Sequence, residues 1–322
     1  MTDLLRVEDL KVHFGKPAGL FQTAAPPVRA VDGVSFGLRS GETLGLVGES
    51  GCGKSTVGRA VLGLIPPTSG QVMWDGQPRA ETRRREMQMV FQDPFTSLNP
   101  RMTAADIVAE PLRNYRVARG RALRDRVSEL FESVGLRRDQ LDRYPHEFSG
   151  GQRQRLGIAR ALALEPRMIV CDEAVSALDV SVQAQIVNLL SDLRRDRGLS
   201  YLFISHDLSV VRHIADRVAV MYLGRIVEIG SASAIFERPA HPYTRALIEA
   251  APKPVPGRRP RQLLTGEIPS PARPPAGCRF HTRCPLATEQ CRQVMPVLTL
   301  RGDDHAAACH MTETTPFEGT AA

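Results

Sequence analysis

One eight-residue stretch contains the residue types that bind the phosphates of a nucleotide. Residues 48–55 have the sequence Gly-Glu-Ser-Gly-Cys-Gly-Lys-Ser and fit the pattern G-x-x-x-x-G-K-[ST]. Glycines let backbone N–H groups turn toward phosphate oxygens, and a following helix adds its positive N-terminal end. Lys54 can reach the β- and γ-phosphates, and the Ser55 hydroxyl is a ligand for Mg²⁺. The alternative is a glycine-rich turn without function, which the predicted strand before it and helix after it disfavour.

Two adjacent carboxylates, Asp172 and Glu173, follow four apolar residues (168–171) that predict a buried strand. Asp172 can hold Mg²⁺, directly or through water. Glu173 can orient or deprotonate an attacking water. An acidic pair alone is also a common helix start, but a pair that follows a buried strand downstream of a phosphate loop indicates the second half of a nucleotide site.

Short apolar strands alternate with helical segments along most of the chain. The predicted strands are 4–14, 28–38, 43–47, 71–76, 87–91, 168–171, 200–204, 218–222 and 225–229. Helices are predicted after the phosphate loop and over 103–134, 156–164 and 180–195. This alternation predicts an α/β fold with a largely parallel sheet and helices on both faces. Gln92, Asp172 and His206 each follow a strand, at the edge where such sheets bind ligands.

Two segments have the composition of loops or linkers. Residues 15–27 are rich in glycine and proline and predict a hairpin loop. Ten of the 24 prolines lie between Pro239 and Pro275. Because proline interrupts helices and central strands, this region is predicted to be an extended tail or linker.

The composition narrows the class of protein. The 322 residues carry a net charge of +7, from 42 basic and 35 acidic side chains. The arginines are spread along the chain, which argues against nucleic acid as a partner. Residues 1–9 lack the apolar segment of a signal peptide, and no apolar run reaches the roughly 18 to 20 residues that span a bilayer. We therefore expect a cytosolic chain, or one bound to a membrane through partners.

Residues 149–152, Ser-Gly-Gly-Gln, precede the predicted strand before Asp172 by about twenty residues. With this signature, residues 4–235 resemble the ATPase subunit of an ATP-binding cassette (ABC) transporter. The resemblance implies a P-loop NTPase cassette, with a RecA-like core sheet plus a helical subdomain at about 93–164. It also implies two domains: a nucleotide-binding domain over 1–235 and a Pro-rich, Cys-containing C-terminal extension over 236–322.

The resemblance also implies the role of each motif residue. Phe14 resembles the aromatic residue that stacks on adenine, Gln92 the Q-loop glutamine, and His206 the switch histidine near the γ-phosphate. Mg²⁺ would be held by Ser55, Gln92 and Asp172, and the catalytic residues would be Glu173, His206 and Gln92. The residues expected to bind ATP are Phe14, Gly48, Glu49, Ser50, Gly51, Cys52, Gly53, Lys54, Ser55, Thr56, Gln92, Asp172, Ser149, Gly150, Gly151, Gln152 and Asp179.

Two positions depart from the usual motifs of this family without removing a catalytic group. Phe148 stands where Leu usually opens the signature, and Ala174 stands where Pro often follows the glutamate. In the family, two cassettes pair head to tail, so that each ATP lies between one phosphate loop and the partner's signature. The implied partners are a second ABC ATPase subunit, identical or related, and two integral membrane permease subunits. A substrate-binding protein would be an indirect partner.

The tail indicates the subfamily. Residues 238–247, Arg-Pro-Ala-His-Pro-Tyr-Thr-Arg-Ala-Leu, resemble the tail motif of dipeptide/oligopeptide permease ATPases, as do 91–100 and 263–278. The resemblance is to the F-type subunit, at the cytoplasmic face of the inner membrane, energising import of peptides or related small solutes. The subfamily also includes importers of glutathione and nickel, so the solute stays open. The alternative function is a soluble ABC ATPase that acts on nucleic acid or ribosomes.

Four cysteines lie near the C-terminal end: Cys278, Cys284, Cys291 and Cys309. Thiolates suit iron–sulfur clusters and zinc alike, so four cysteines in one segment indicate a metal site although no two of them form a C-x-x-C pair. The permease resemblance favours a [4Fe-4S] cluster, with zinc as the alternative. The remaining interpretation is a docked tail with unligated thiols.

Overall fold

The computed structural model describes residues 3–15, 26–78, 81–93, 97–251, 266–302 and 304–311. Most of the predicted loop 15–27 lies outside the described residues, as do residues 94–96 of the 91–100 motif. Residues 252–265 of the Pro-rich region also lie outside them. Among the described residues, no helix is both long and apolar enough to cross a membrane.

The strands are β1 (Asp3–Phe14), β2 (Val28–Arg39), β3 (Thr43–Val47), β4 (Ser69–Trp74), β5 (Gln77–Pro78), β6 (Met87–Val90), β7 (Met168–Asp172), β8 (Ser200–Ser205), β9 (Arg217–Tyr222), β10 (Arg225–Ser231), β11 (Thr299–Gly302) and β12 (His305–Ala307). The helices are α1 (Lys54–Val61), α2 (Ala104–Asn114), α3 (Gly120–Ser133), α4 (Gly150–Leu162), α5 (Val180–Arg197), α6 (Leu208–Ile214), α7 (Ala232–Glu237), α8 (Pro242–Ala250) and α9 (Glu289–Gln293). Short 3₁₀ turns lie at Glu81–Arg85, Arg138–Gln140 and Pro145–Glu147.

The chain divides into two compact units, which do not follow chain order. The first unit comprises residues 1–38, 44–78 and 206–322, and the second unit comprises 39–43 and 79–205. Each unit therefore contains segments that are distant in sequence.

The first unit contains two sets of paired strands. One is the four-stranded sheet β2-β1-β4-β5, in which β1 and β4 are antiparallel. In the other, the strands lie in the order β11-β12-β10-β9-β3, with β3 parallel to β9. All five residues of β3 are buried, as expected for a short apolar strand covered on both faces.

The second unit has a parallel core of β8, β7 and β6, in that order. Every residue of β7 and β8 is buried. Helices α2 to α5 belong to this unit, and α2, α3 and α4 pack on one another. The predicted alternation of helices with buried parallel strands is confirmed here.

Two predicted segments are wrong in detail. The helix predicted over 103–134 is two helices, α2 and α3, because Arg116 and Gly120 have positive φ values of 55° and 59°. The Pro-rich tail is not wholly extended, since α8 forms within it. Pro242 occupies the first turn of α8, where its missing N–H costs nothing, and the His241 ring accepts the Tyr243 N–H.

The extension also contributes strands that the sequence pattern did not predict. Strand β12 pairs with β10, and β11 pairs with β12, all antiparallel. The buried Glu228 carboxylate of β10 accepts hydrogen bonds from the backbone of Ala240 and His241 at 2.6 and 2.9 Å. Its Oε1 also lies 2.8 Å from His305 Nε2. Residues 240, 241 and 305–307 therefore lie directly against β10, with 299–302 paired beyond them.

Candidate active site

The phosphate loop joins the end of β3 to the start of α1 within the first unit. Gly53 is the residue before α1 and has φ of 107°, a conformation that favours glycine. Two glycines are also required by close approach. A Cβ on Gly48 would lie 2.2 Å from the Met221 carbonyl oxygen, and one on Gly53 would lie 2.0 Å from that of Ala30. The predicted strand, loop and helix are confirmed, and packing as well as conformation selects the glycines.

Lys54 is buried at the base of this loop, with 4% of its surface exposed. Its ammonium donates to the carbonyl oxygens of Gly48 and Glu49 at 2.8 and 3.0 Å. Cys52 Sγ lies 3.8 Å from the same nitrogen, and burial raises the pKa of this thiol. The loop thus places a cation inside a curl of backbone that leaves no room for side chains at two glycines, which fits a bound phosphate.

In the second unit, buried strand β7 ends at Asp172, which is 2% exposed. The next residue, Glu173, has φ of 49°, an uncommon value for a residue with a side chain. Its backbone is held on both sides: its N–H donates to the Ile204 carbonyl at 3.0 Å, and its carbonyl accepts the Ser176 N–H and hydroxyl at 3.1 and 3.0 Å. Strained backbone that is held in this way is typical of functional sites.

Gln92 and Glu173 are brought together although 81 residues separate them. Gln92 follows β6, and its amide Nε2 donates to Glu173 Oε2 at 2.8 Å. This contact follows from the parallel pairing of β6 with β7, which places the carboxyl ends of both strands at one edge.

The Ser149–Gln152 signature forms the start of α4. Ser149 caps the helix, since its hydroxyl accepts the Gln152 N–H at 3.3 Å while the Gln152 side chain accepts the Ser149 N–H at 3.0 Å. This reciprocal arrangement is a capping box. A Cβ on Gly151 would lie 2.4 Å from Val182 Cγ1, so any larger residue here would displace the Val182 side chain. Ser149 itself is exposed.

The other predicted residues lie at element ends. Phe14 ends β1 and is 46% exposed, as a ring that stacks on a ligand must be. Asp179 precedes α5, and the exposed His206 follows β8. Asp207 caps α6 by accepting the Ser209 N–H at 2.8 Å.

The four C-terminal cysteines line one small pocket of the first unit, together with His310 and Phe280. The N–H of Cys278 donates to the carbonyl of Cys291 at 2.8 Å, which ties two of them together. Burial raises the pKa of the Cys278 thiol to about 11. No group of three or more His, Cys, Asp or Glu side chains within the described ranges is arranged to hold a metal ion.

Two residues that motif reasoning missed contact the phosphate loop. Arg283 donates two hydrogen bonds to the Glu49 carboxylate, at 2.7 and 3.0 Å, and Tyr243 Oη accepts the Glu49 N–H at 2.9 Å. Both belong to the C-terminal extension, about 190 to 230 residues after the loop. Sequence spacing does not predict contacts between positions so far apart. The resemblance of residues 238–247 to the permease tail motif did single out the segment that contains Tyr243.

A phosphate loop after a buried parallel strand, and an Asp-Glu pair after another, define the class of P-loop nucleoside triphosphatases. The family model described as "ABC transporter" matches residues 31–176. A second family model, described as "Oligopeptide/dipeptide transporter, C-terminal region", matches residues 227–291.

Curated relatives match over nearly the whole chain. The oligopeptide transport ATP-binding protein OppF of Salmonella typhimurium is 54% identical over 319 residues, 95% of this chain and 95% of its own. The oligopeptide transport ATP-binding protein AppF of Bacillus subtilis is 51% identical over 319 residues, 96% of this chain and 97% of its own.

Among solved structures, the chain is similar to a dimeric post-hydrolysis state of the ATP-binding cassette MJ0796 bound to ADP and Pi. The TM-score is 0.61 at 28% identity, over 71% of this chain and 98% of that one. The chain belongs to the family of ABC transporter ATP-binding proteins, and its activity is the binding and hydrolysis of ATP. The predicted ABC cassette fold is confirmed.

Proposed function

We propose that this chain energises an importer of oligopeptides or related small solutes. The observation that carries the proposal is the match of the C-terminal extension, residues 227–291, to the oligopeptide/dipeptide transporter region. Relatives named for oligopeptide transport cover at least 95% of this chain at 51% and 54% identity. The division into a cassette over 1–235 and an extension over 236–322 remains part of the proposal. The soluble alternative acting on nucleic acid or ribosomes is not favoured by these relatives.

The roles of the site residues are proposed from their geometry and motif positions. Lys54 would leave the carbonyls of its own loop and bind the β- and γ-phosphates. Glu173 would take the proton of the attacking water, and Gln92 would hold the Glu173 carboxylate in place through their 2.8 Å contact. His206 would bind the γ-phosphate from the end of β8.

Mg²⁺ and adenine would be held by the remaining predicted groups. The Ser55 hydroxyl, the Gln92 amide oxygen and the Asp172 carboxylate are oxygen donors of the kind that Mg²⁺ prefers. When bound, Mg²⁺ neutralises charge on the phosphates. Phe14, with nearly half of its surface exposed, would stack on the adenine ring.

We propose further that the working unit contains two cassettes, two membrane permease subunits and, indirectly, a substrate-binding protein, with this chain peripheral on the cytoplasmic face. Ser149 and the N-terminal amides of α4 would then bind the γ-phosphate held by the partner cassette. The dimeric state of the related cassette with ADP and Pi supports the pairing. The second cassette is either another copy of this chain or a related ATPase.

An affinity-tagged Glu173→Gln chain, isolated from its own cell membranes in mild detergent with ATP and Mg²⁺, tests this assembly. We expect co-purification of two multi-span proteins and of a second cassette, identified by mass spectrometry. The matched control adds Lys54→Ala, which should release the second cassette because ATP no longer bridges the pair. Ribosomal proteins or nucleic acid without a membrane subunit would overturn the proposal.

Uptake tests the solute class. Cells that lack this chain should accumulate a radiolabelled mixture of two- to five-residue peptides more slowly than cells expressing it. Cells complemented with Glu173→Gln should remain slow. Unchanged peptide uptake together with reduced uptake of nickel or glutathione would reassign the importer within its subfamily and contradict the peptide proposal.

We also propose that the four cysteines hold a [4Fe-4S] cluster, with zinc as the alternative. The support is that all four thiols line one pocket. A zinc ion needs its ligands about 2.3 Å from one centre, whereas a cluster takes one thiolate on each of four separate irons. The described side chains form no group that would hold a single metal ion, so the proposal is carried by the shared pocket and by the resemblance of the tail. When bound, such a cluster would supply a structural crosslink among the cysteines.

Anaerobic purification of the full chain, with iron, sulfide and zinc analysis, tests the cysteine proposal. We expect about four irons and four sulfides per chain. A Cys284→Ser chain should lose most of this iron, while Cys52→Ser, which alters a cysteine outside the pocket, should retain it. Wild-type chain that contains neither iron nor zinc would end the proposal.

A further inference from the structure

Glu49, the second residue of the phosphate loop motif, is contacted through three different groups. Its carboxylate accepts hydrogen bonds from both terminal nitrogens of Arg283, at 2.7 and 3.0 Å. Its N–H donates to Tyr243 Oη at 2.9 Å, and its carbonyl accepts the Lys54 ammonium at 3.0 Å. A single loop residue therefore connects the C-terminal extension with the lysine that binds phosphate.

The ion pair between Arg283 and Glu49 is shielded from solvent. The Arg283 side chain is 4% exposed and that of Glu49 is 21% exposed. The hydrogen bonds that Arg283 donates to the Glu49 carboxylate raise the pKa of the guanidinium. Bidentate pairs of this kind are stronger and more directional than exposed ion pairs, and removing Arg283 leaves the partly exposed Glu49 carboxylate without its partner.

The two extension residues are themselves held rigidly. The rings of Tyr222, Tyr243 and Phe280 form a buried cluster with centroid separations of 4.7 and 5.3 Å. The Arg283 guanidinium lies 5.9 Å from the centroid of the Tyr222 ring. Fully buried aromatic rings in mutual contact lose little further freedom, so Tyr243 and Arg283 are preorganised to hold Glu49.

A carboxylate in a phosphate-binding loop opposes the binding of a triphosphate, because like charges repel. Arg283 offsets this charge and directs the carboxylate toward the extension. Tyr243 orients the peptide group between Gly48 and Glu49, which belongs to the backbone curl that binds phosphate. Arg283 and Tyr243 therefore both affect the phosphate loop, although neither belongs to the phosphate-loop motif 48–55.

We propose that Arg283 and Tyr243 are positioning residues for ATP, acting through Glu49 to set the affinity of the phosphate loop for the triphosphate. The C-terminal extension thereby forms part of the nucleotide site of the same chain. The role concerns ATP binding only and does not depend on the transported solute.

The test measures ATP affinity of the purified full chain, by titration with a fluorescent ATP analogue, and KM and kcat in the assembled transporter. Arg283→Gln should weaken binding about tenfold and raise KM by a similar factor, with kcat at saturating ATP within about twofold of wild type. Arg283→Lys, which keeps the charge but not the bidentate geometry, should recover part of the loss. Tyr243→Phe should weaken binding about threefold.

Arg292→Gln is the matched control, because Arg292 lies on the same extension and pairs with Glu289 while its side chain is 61% exposed. This variant should bind ATP as the wild type does. Circular dichroism and thermal unfolding of every variant separate loss of affinity from loss of fold.

A double variant decides whether Arg283 acts through Glu49. In a Glu49→Gln background, the further change Arg283→Gln should weaken ATP binding by less than about threefold, since its target carboxylate is already gone. An equal loss in both backgrounds would overturn the proposal. So would wild-type affinity in Arg283→Gln, or a fall in kcat and thermal stability with KM unchanged, which is the result a purely structural role predicts.

Discussion

Glu173 in the second unit and Glu49 in the first unit are both acidic residues of nucleotide motifs, but they are held in different ways. The backbone turn at Glu173 is closed by Ser176, three residues away, and its carboxylate accepts a hydrogen bond from Gln92 at the end of the neighbouring strand β6. Glu49 depends on Arg283 and Tyr243, which are 234 and 194 residues away. The comparison teaches that the backbone turn carrying Glu173 is closed by a residue of its own motif, whereas the phosphate loop at Glu49 is held by residues of the C-terminal extension.

The largest effect is expected at Glu173. Glu173→Gln should lower ATP turnover in the assembled transporter about a thousandfold, because the amide cannot accept the proton of the water. ATP binding should persist and the closed, ATP-bound dimer should accumulate, visible by size-exclusion chromatography with ATP. Near-normal steady-state turnover would contradict the proposed role of Glu173 and the contrast drawn with Glu49.

The next largest effect is expected at Glu228, which anchors the C-terminal extension. Glu228→Ala should reduce the free energy of unfolding by about 4 kcal/mol, since the buried carboxylate binds two backbone N–H groups and His305. Chemical denaturation measures this loss. Glu237→Ala, an exposed acid nearby in sequence, is the control and should change stability little. A similar stability in both variants would show that the extension is not anchored through Glu228.

The pH dependence of the free energy of unfolding should report on the same C-terminal extension, through His241. Burial lowers the pKa of His241 from 6.5 to about 4, so the unfolded chain binds a proton that the folded chain resists. This contribution to stability is complete above pH 6.5 and is lost as the pH falls toward 4, amounting to about 3 kcal/mol. His241→Asn keeps an acceptor for the Tyr243 N–H but does not titrate in this range. Its unfolding free energy should therefore fall less steeply between these pH values, and equal slopes would contradict the assignment.

The smallest effect is expected at a local contact. Ser176→Ala removes the hydroxyl that donates to the Glu173 carbonyl at 3.0 Å but leaves the Ser176 N–H bonded there. We expect a loss of about 1 kcal/mol in the stability of this turn, and ATP turnover reduced about fivefold. A loss as large as that of Glu173→Gln would mean that one hydroxyl, and not the surrounding backbone, holds the catalytic turn.

Much of the fold could be predicted because local patterns were strong. The phosphate loop lies between the predicted strand and helix, and the short apolar runs at β7 and β8 are buried parallel strands. The break between α2 and α3 was not predicted, because their apolar positions continue at helical spacing on both sides of it. Helix α8 was not predicted, because the high proline content of 239–275 disfavours helix in general, whereas Pro242 occupies a first turn, where proline is tolerated.

The sequence by itself determined the class of chemistry. Glycine, lysine and serine within residues 48–55, and a carboxylate pair directly after an apolar strand, leave few other functions, because each of these local patterns supplies groups that bind phosphate or Mg²⁺. Tertiary structure alone decided which distant groups complete them. The contact of Gln92 with Glu173 depends on strand order, and that of Arg283 with Glu49 depends on how the extension docks. Contacts between remote positions arise from packing and charge pairing in the folded chain, and no local sequence rule encodes them.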